Sequence, residues 1–249
     1  MKAELFESML AERAQQRSFA IVTRFSDGAQ ALVTEDAVHG DLVLDDAQRG
    51  ETRRRVLADR SGTLDAAEEV LFVRCLARAP RLLVVGAVHI TQALAPMAAM
   101  AGFEVHVIDP RRAFATAERL PGVDVSTEWP AEAVTRIGLD ARTALVTLSH
   151  DPKLDDPALI AALRSRAFYI GALGSTRTHA KRVARLHEAG LDDEAIGRIH
   201  APIGLDLGGR APVEIAVAVL AQLIRARYAR PSEQGGQGRS AAAGSVRAA

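Results

Sequence analysis

The chain has 249 residues, 48% of them apolar and 25% charged, and its 31 basic residues balance its 31 acidic ones. This is the composition of a globular protein with one large domain or two small ones. Zero net charge argues against a general nucleic-acid binder, which concentrates a basic excess on one face. No apolar run approaches the roughly 20 residues of a membrane span, and the mixed, charged first 17 residues do not read as a secretory leader. Cys75 is the single cysteine and can close no internal disulfide, so the expected setting is the cytoplasm.

In chain order, the first regular pattern is a pair of strands over residues 19–23 and 30–34, flanking the hairpin signal Asp27-Gly28. A third strand is expected at Leu42, Val43 and Leu44, and a helix over residues 46–59. Together they describe a small α/β appendage filling residues 1–79.

From Arg81 the pattern is clearer. Leu82, Leu83, Val84 and Val85 form an apolar, partly β-branched run closed by Gly86, as in a buried parallel strand. Helical spacing follows at Ala93, Leu94, Met97 and Met100 up to a Gly102 stop, and Pro96 is expected in that helix's first turn. Strands over residues 103–108, 123–125, 143–148 and 167–170 alternate with helices beginning near Pro130, at Pro157 and at Thr178, the last stopped by Gly190. A final helix opens at Pro212, carries Glu214 in its positive first turn, aligns Ile215, Val219 and Leu223 on one face, and runs to about Tyr228. Such alternation specifies an α/β fold: a Rossmann-like doubly wound parallel sheet over residues 80–228, with five core strands in the order 3-2-1-4-5. Residues 229–249, poor in large apolar side chains, read as a disordered tail.

In an open parallel sheet, ligands bind beyond the carboxyl ends of the strands. Four loops rich in glycine, histidine and basic residues fall there: Gly86-Ala87-Val88-His89, Asp109-Pro110-Arg111-Arg112, Ser149-His150-Asp151, and Gly171-Ala172-Leu173-Gly174-Ser175 followed by Arg177, His179, Lys181 and Arg182. The first is a poor dinucleotide fingerprint, because Val88 and Thr91 stand where G-x-G-x-x-G needs glycine, and a valine would obstruct close backbone approach to a pyrophosphate. The last suits an anion, offering backbone N–H groups, a helix N-terminus and arginine; the alternative is a tight turn before a solvated basic helix face. His89 and His150 lie at adjacent central strand ends without metal-ligand spacing, and orienting a loop is their expected work. Asp206, in a Gly-Leu-Asp-Leu-Gly-Gly-Arg turn, could contact a ligand or stabilise the turn. Cys75, in an apolar run, reads as a small hydrophobe. Nothing matches a Ser-His-Asp or G-x-S-x-G hydrolase.

The runs Leu82 to His89, Phe103-Glu104-Val105 with Asp109-Pro110-Arg111, His150-Asp151-Pro152-Lys153-Leu154-Asp155-Asp156-Pro157, Tyr169 to Ser175, Arg177-Thr178-His179-Ala180-Lys181-Arg182 and His200-Ala201-Pro202-Ile203-Gly204-Leu205, together with Pro212 and Glu214-Ile215-Ala216, resemble the C-terminal domain of XdhC/CoxI proteins. The resemblance implies an accessory factor for a molybdenum hydroxylase such as xanthine or carbon monoxide dehydrogenase. Such a factor binds the molybdenum cofactor (molybdopterin) transiently, protects it during sulfuration and promotes its insertion. It implies a cofactor chaperone rather than a turnover enzyme, with the apoenzyme and a cysteine desulfurase as partners, and a homo-oligomeric state. The cofactor-binding residues expected are Gly86, His89, Asp109, Arg111, His150, Gly171, Gly174, Ser175, Arg177, His179, Lys181 and Asp206, with no resident metal and no catalytic residue. Family members carry glycine where Val88 stands, and a Gly-Cys segment in the N-terminal domain that residues 1–79 lack. Two other readings stay open: an NAD(P)-dependent oxidoreductase, and an assembly partner that has lost the cofactor.

Overall fold

The computed structural model describes residues 2–66 and 69–229. The chain divides at Ala79–Pro80 into two compact units. The expected disordered tail lies outside the described residues.

The N-terminal unit contains α1 (Ala3–Ala14), β1 (Phe19–Arg24), β2 (Gln30–Val33), β3 (Val38–Gly40), α2 (Asp46–Leu57), β4 (Gly62–Ala66) and β5 (Glu69–Leu76). Its strands form an antiparallel sheet in the order β3-β2-β1-β5-β4. The period-two alternation of β1 sends Phe19 and Ile21 to a cluster with Leu5 of α1, and Ala20 and Val22 to a second cluster with Val56 of α2. The Asp27-Gly28 hairpin forms as expected, with Gly28 at φ +74° and the Asp27 carboxylate accepting from Ala29 N–H. The third strand is not at residues 42–44 but earlier, at β3. Pairing stops at Gly40, φ +127°, where any Cβ would stand 2.3 Å from the Gln30 carbonyl, and the next two N–H groups both donate to that carbonyl. Leu42 and Leu44 are buried and Val43 is 90% exposed, so the alternation is that of a strand, but the segment is the lead-in to α2, which Asp45 and Gln48 open with a capping box.

The second unit is a six-stranded, wholly parallel sheet: β6 (Arg81–Val85), β7 (Glu104–Ile108), β8 (Asp124–Ser126), β9 (Thr143–Thr147), β10 (Tyr169–Ala172) and β11 (Ile199–His200), in the spatial order β11-β10-β9-β6-β7-β8. That is a Rossmann-like doubly wound sheet, with a sixth strand of two residues that is too short to leave a pattern in the sequence. Helices α3 (His89–Met100) and α8 (Pro212–Tyr228) cover one face, with Leu82, Val84, Leu94, Val219 and Leu223 in a common core. On the other face α4 (Pro130–Ile137), α5 (Pro152–Leu163), α6 (Thr176–Glu188) and α7 (Asp193–Ile196) pack on Leu83, Val85, Leu145 and Ile170.

Three helix starts differ from expectation: α6 begins two residues early, at Thr176 behind its Ser175 cap, and the other two misplace a proline. α3 begins at His89, which puts Pro96 in its interior. α5 begins at Pro152, directly after an Asp151 cap, so Pro157 lies inside it. In each case burial of the helix's apolar stripe outweighs the loss of one backbone hydrogen bond.

Candidate functional site

The carboxyl ends of β6, β7, β9 and β10 bring the four loops to one rim of the parallel sheet. At β6, Gly86 has φ +108°, and a Cβ there would meet the Ser149 backbone and side chain at 2.9–3.1 Å. The glycine thus serves the approach of two adjacent strand ends. The next N–H, from Ala87, donates to Asp109 Oδ2 at 2.8 Å. Asp109 is fully buried at the end of β7, and Arg111 grips both its oxygens at 2.9 Å while Arg111 N–H donates to Oδ1. Burial pushes the Asp109 carboxyl up, but the Arg111 fork and the backbone donors prevail and hold it below the ordinary carboxylate value. Arg111 also lies over the Phe114 ring. Asp109, the acid a dinucleotide site would turn to a ribose, and the Ala87 N–H are therefore committed to each other within the chain.

Val88 caps α3 with φ −94°, a conformation open to valine, and its side chain packs in part against the core cluster of Leu82 and Ile90. No side chain caps α3, so its first-turn N–H groups, at exposed His89 and at Ile90, have no side-chain acceptor.

The β9 and β10 ends carry a denser polar group. Ser149 Oγ donates to Asp155 Oδ1 at 2.6 Å, and Asp155 Oδ2 lies 3.8 Å from Arg182 Nη2, which donates to the Leu173 carbonyl at 3.0 Å. Asp155 and Arg182 are 1% and 2% exposed. Asp155 Oδ2, Arg182 Nε and Nη1, Thr147 Oγ1 and His179 Nδ1 are buried without a hydrogen-bond partner in the protein. Burial pushes the Asp155 carboxyl up against the pull of Ser149 and Arg182, and pushes the Arg182 guanidinium and the His179 imidazole down. A buried pair this far apart, with open valences on both partners, is incompletely compensated.

Around this core the other expected residues take their places. Ser175 caps α6 through Thr178 N–H. Gly174, at φ +140°, opens the turn before it. Arg177 and Lys181 are exposed on α6, and His150 is exposed with a left-handed backbone, φ +62°. Gly171 has a packing role instead, since a Cβ would stand 2.6 Å from the Ile203 side chain. Asp206 accepts from Gly208 N–H and stabilises its own turn. Cys75 is half-buried on β5, and burial, more than nearby Asp59, pushes its thiol up, away from reactivity. Among the described residues no group of three or more His, Cys, Asp or Glu side chains could hold a metal ion.

Sequence reasoning gave no separate role to Ser149, Asp155 or Arg182. A signal was present: Asp155 shares the apolar stripe of α5 with Ala158, Leu159 and Ala162, and Arg182 shares that of α6 with Leu186, so each is a charge at a core position. A second missed group is Tyr169, whose hydroxyl donates to Gln222 Oε1, which also accepts from Gly204 N–H; His200 stacks on the Tyr169 ring at 4.6 Å.

Residues 82–223, more than half of the chain, match the model of the XdhC Rossmann domain. The chain belongs to that family. It is 35% identical over 159 residues to the Escherichia coli molybdenum cofactor insertion chaperone PaoD, covering 64% of this chain and 42% of that protein. It is 29% identical over 158 residues to a Bacillus subtilis protein named as a probable xanthine dehydrogenase subunit, covering 63% of this chain and 46% of the relative. The chain thus spans less than half the length of these curated relatives. A Bacillus halodurans crystal structure described as a xanthine dehydrogenase superposes with a TM-score of 0.66 at 21% identity, over 94% of this chain and 68% of the other, a likeness of fold. No helix among the described residues is long and apolar enough to cross a membrane.

Proposed function

We propose that this chain is a maturation factor for a molybdenum hydroxylase: it binds the molybdenum cofactor at the carboxyl rim of its parallel sheet and assists the cofactor's sulfuration and its insertion into the apoenzyme. The observation that carries this reading is the 35% identity over 159 residues to a cofactor insertion chaperone. The chemistry of the rim suits the ligand. A molybdopterin ends in a phosphate and carries a polar pterin, and the rim offers the Arg177 and Lys181 cations, uncapped N–H groups of α3, and buried donors of Arg182 without protein partners. The bound group supplies the metal centre of the client's redox chemistry. The chain's own residues hold it and shield it from water, which is the work of a chaperone rather than of a turnover enzyme. An NAD(P)-dependent oxidoreductase is disfavoured because Asp109 and the Ala87 N–H, the groups a dinucleotide would need, are satisfied internally.

Titration of purified chain with molybdenum cofactor released from a donor enzyme, beside a titration with NAD(P)H, tests the reading. Saturable binding of the first alone is expected. Arg177→Ala with Lys181→Ala should weaken that binding about tenfold or more, since each charge-assisted bond contributes on the order of 1.5–3 kcal/mol. Thermal stability should change by less than about 0.5 kcal/mol, as for exposed substitutions generally. A chain that binds no cofactor yet still captures the apoenzyme would be the cofactor-free assembly partner instead.

A further inference from the structure

We propose that the outer face of α8 joins two copies of this chain, paired antiparallel about a two-fold axis that passes between Leu220 and Ala221. The inner face of the helix buries Ala216, Val219, Gln222 and Leu223. A helix on the surface of a sheet normally turns charge outward. Here Val213, Val217, Ile224 and Tyr228 are exposed instead, and Leu220 and Ala221 half-buried. The steps from 213 to 217, 220 and 224 are four, three and four residues, the 3.5-residue period of a helix-pairing seam. α3, which packs along α8, ends on another exposed apolar side chain, Met100, 82% exposed.

A second copy fits this seam because the seam is its own mirror. An isologous contact requires that if residue i meets residue j, then j meets i. Reflection about the midpoint of 220 and 221 carries Val213 onto Tyr228, Val217 onto Ile224 and Leu220 onto Ala221, so every apolar position meets an apolar position. The charges select the same direction. The first turn carries Glu214 and the last turn Arg225 and Arg227. Antiparallel pairing sets the acidic end of one helix beside the basic end of the other and opposes the helix dipoles, whereas parallel pairing stacks like on like.

The test is sedimentation or light scattering of the full chain over a concentration series. Wild type should be a dimer. Val217→Glu and Ile224→Lys each sit on an exposed position, and each should raise the dimer dissociation constant at least tenfold without changing the melting of the monomer. The double variant should restore association, because in the antiparallel register each new carboxylate meets the second copy's new ammonium. A monomeric wild type at about 100 μM would overturn the proposal, as would single variants that dimerise normally, or a double variant as dissociated as the single ones. Loss of apoenzyme capture by single variants of a monomeric wild type would assign the face to the client instead, and would equally overturn it.

Discussion

The two rims of the parallel sheet are built from the same kinds of residue and satisfied to different degrees. At the amino ends of the strands, Arg81 donates to the Ile137 and Gly138 carbonyls and to Thr143, and Arg198 donates to the carbonyls of Leu163, Ser165 and Ala167. These cations tie off loop carbonyls, each at 2.8–3.0 Å. At the carboxyl ends, Arg182 reaches one carbonyl, stands 3.8 Å from its carboxylate, and keeps two buried N–H groups open. Hydrogen bonding is the more nearly complete at the amino rim, where Arg81 Nε and Arg142 Nε are buried without a hydrogen bond, while Asp155 Oδ2, Arg182 Nε and Nη1, Thr147 Oγ1 and His179 Nδ1 crowd the carboxyl rim; the denser group of open valences marks the rim that serves more than stability.

The largest expected effect tests the carboxyl rim. Arg182→Met strands the Asp155 carboxylate, which should lower stability by about 3–5 kcal/mol. Adding Asp155→Leu removes the stranded charge and should recover most of that loss in denaturant titrations, while cofactor binding stays lost. If the double variant binds cofactor like wild type, the open valences have no bearing on the ligand and the contrast between the rims fails.

A smaller effect is expected from Arg198→Met at the amino rim. Three carbonyls lose their donor, although loops near solvent can recruit water, so roughly 2–3 kcal/mol should go. Folded protein should bind cofactor with unchanged affinity. A change in affinity would show that the two rims are coupled through β10 and β11.

The smallest effect is pH dependence. Burial, more than nearby Arg225, pushes the His200 imidazole down, and burial likewise lowers His179. In the unfolded chain both take up a proton near the ordinary histidine value of about 6.5, whereas the folded chain resists to lower pH. Between those values the unfolded state binds more protons, so stability is fully present above about pH 6.5 and falls as pH drops toward the folded values. Melting temperature should therefore rise from pH 5 to 7, and His200→Gln should flatten part of that slope. An unchanged slope in both His200→Gln and His179→Gln would assign the pH dependence to other groups.

Much of the Rossmann unit was legible because its signals are local. The apolar, partly β-branched run closed by Gly86, a proline opening α4 and another opening α8, and glycine stops after α3 and α6 are each written within a few residues. The N-terminal unit was less legible: α1, β4 and β5 left too little periodicity, and Leu42 to Leu44 carries a strand's alternation on a segment that Gly40 has already bent out of the sheet.

By itself, then, the sequence determined the order of the main elements of the Rossmann unit, the winding of its five core strands, and the rim on which the polar loops collect, since these follow from periodicity and right-handed crossover. Only the tertiary structure decided which polar groups at that rim are spent and which are open. Asp109 and Arg111 read in sequence as ligand groups, yet they meet Ala87 N–H and each other. Asp155 and Arg182 lie 27 positions apart on different helices, and only the packing of α5 and α6 on one sheet face buries them together without completing their hydrogen bonds. A hydrogen-bond partner is set by distance in space, and sequence spacing fixes that distance only within an element.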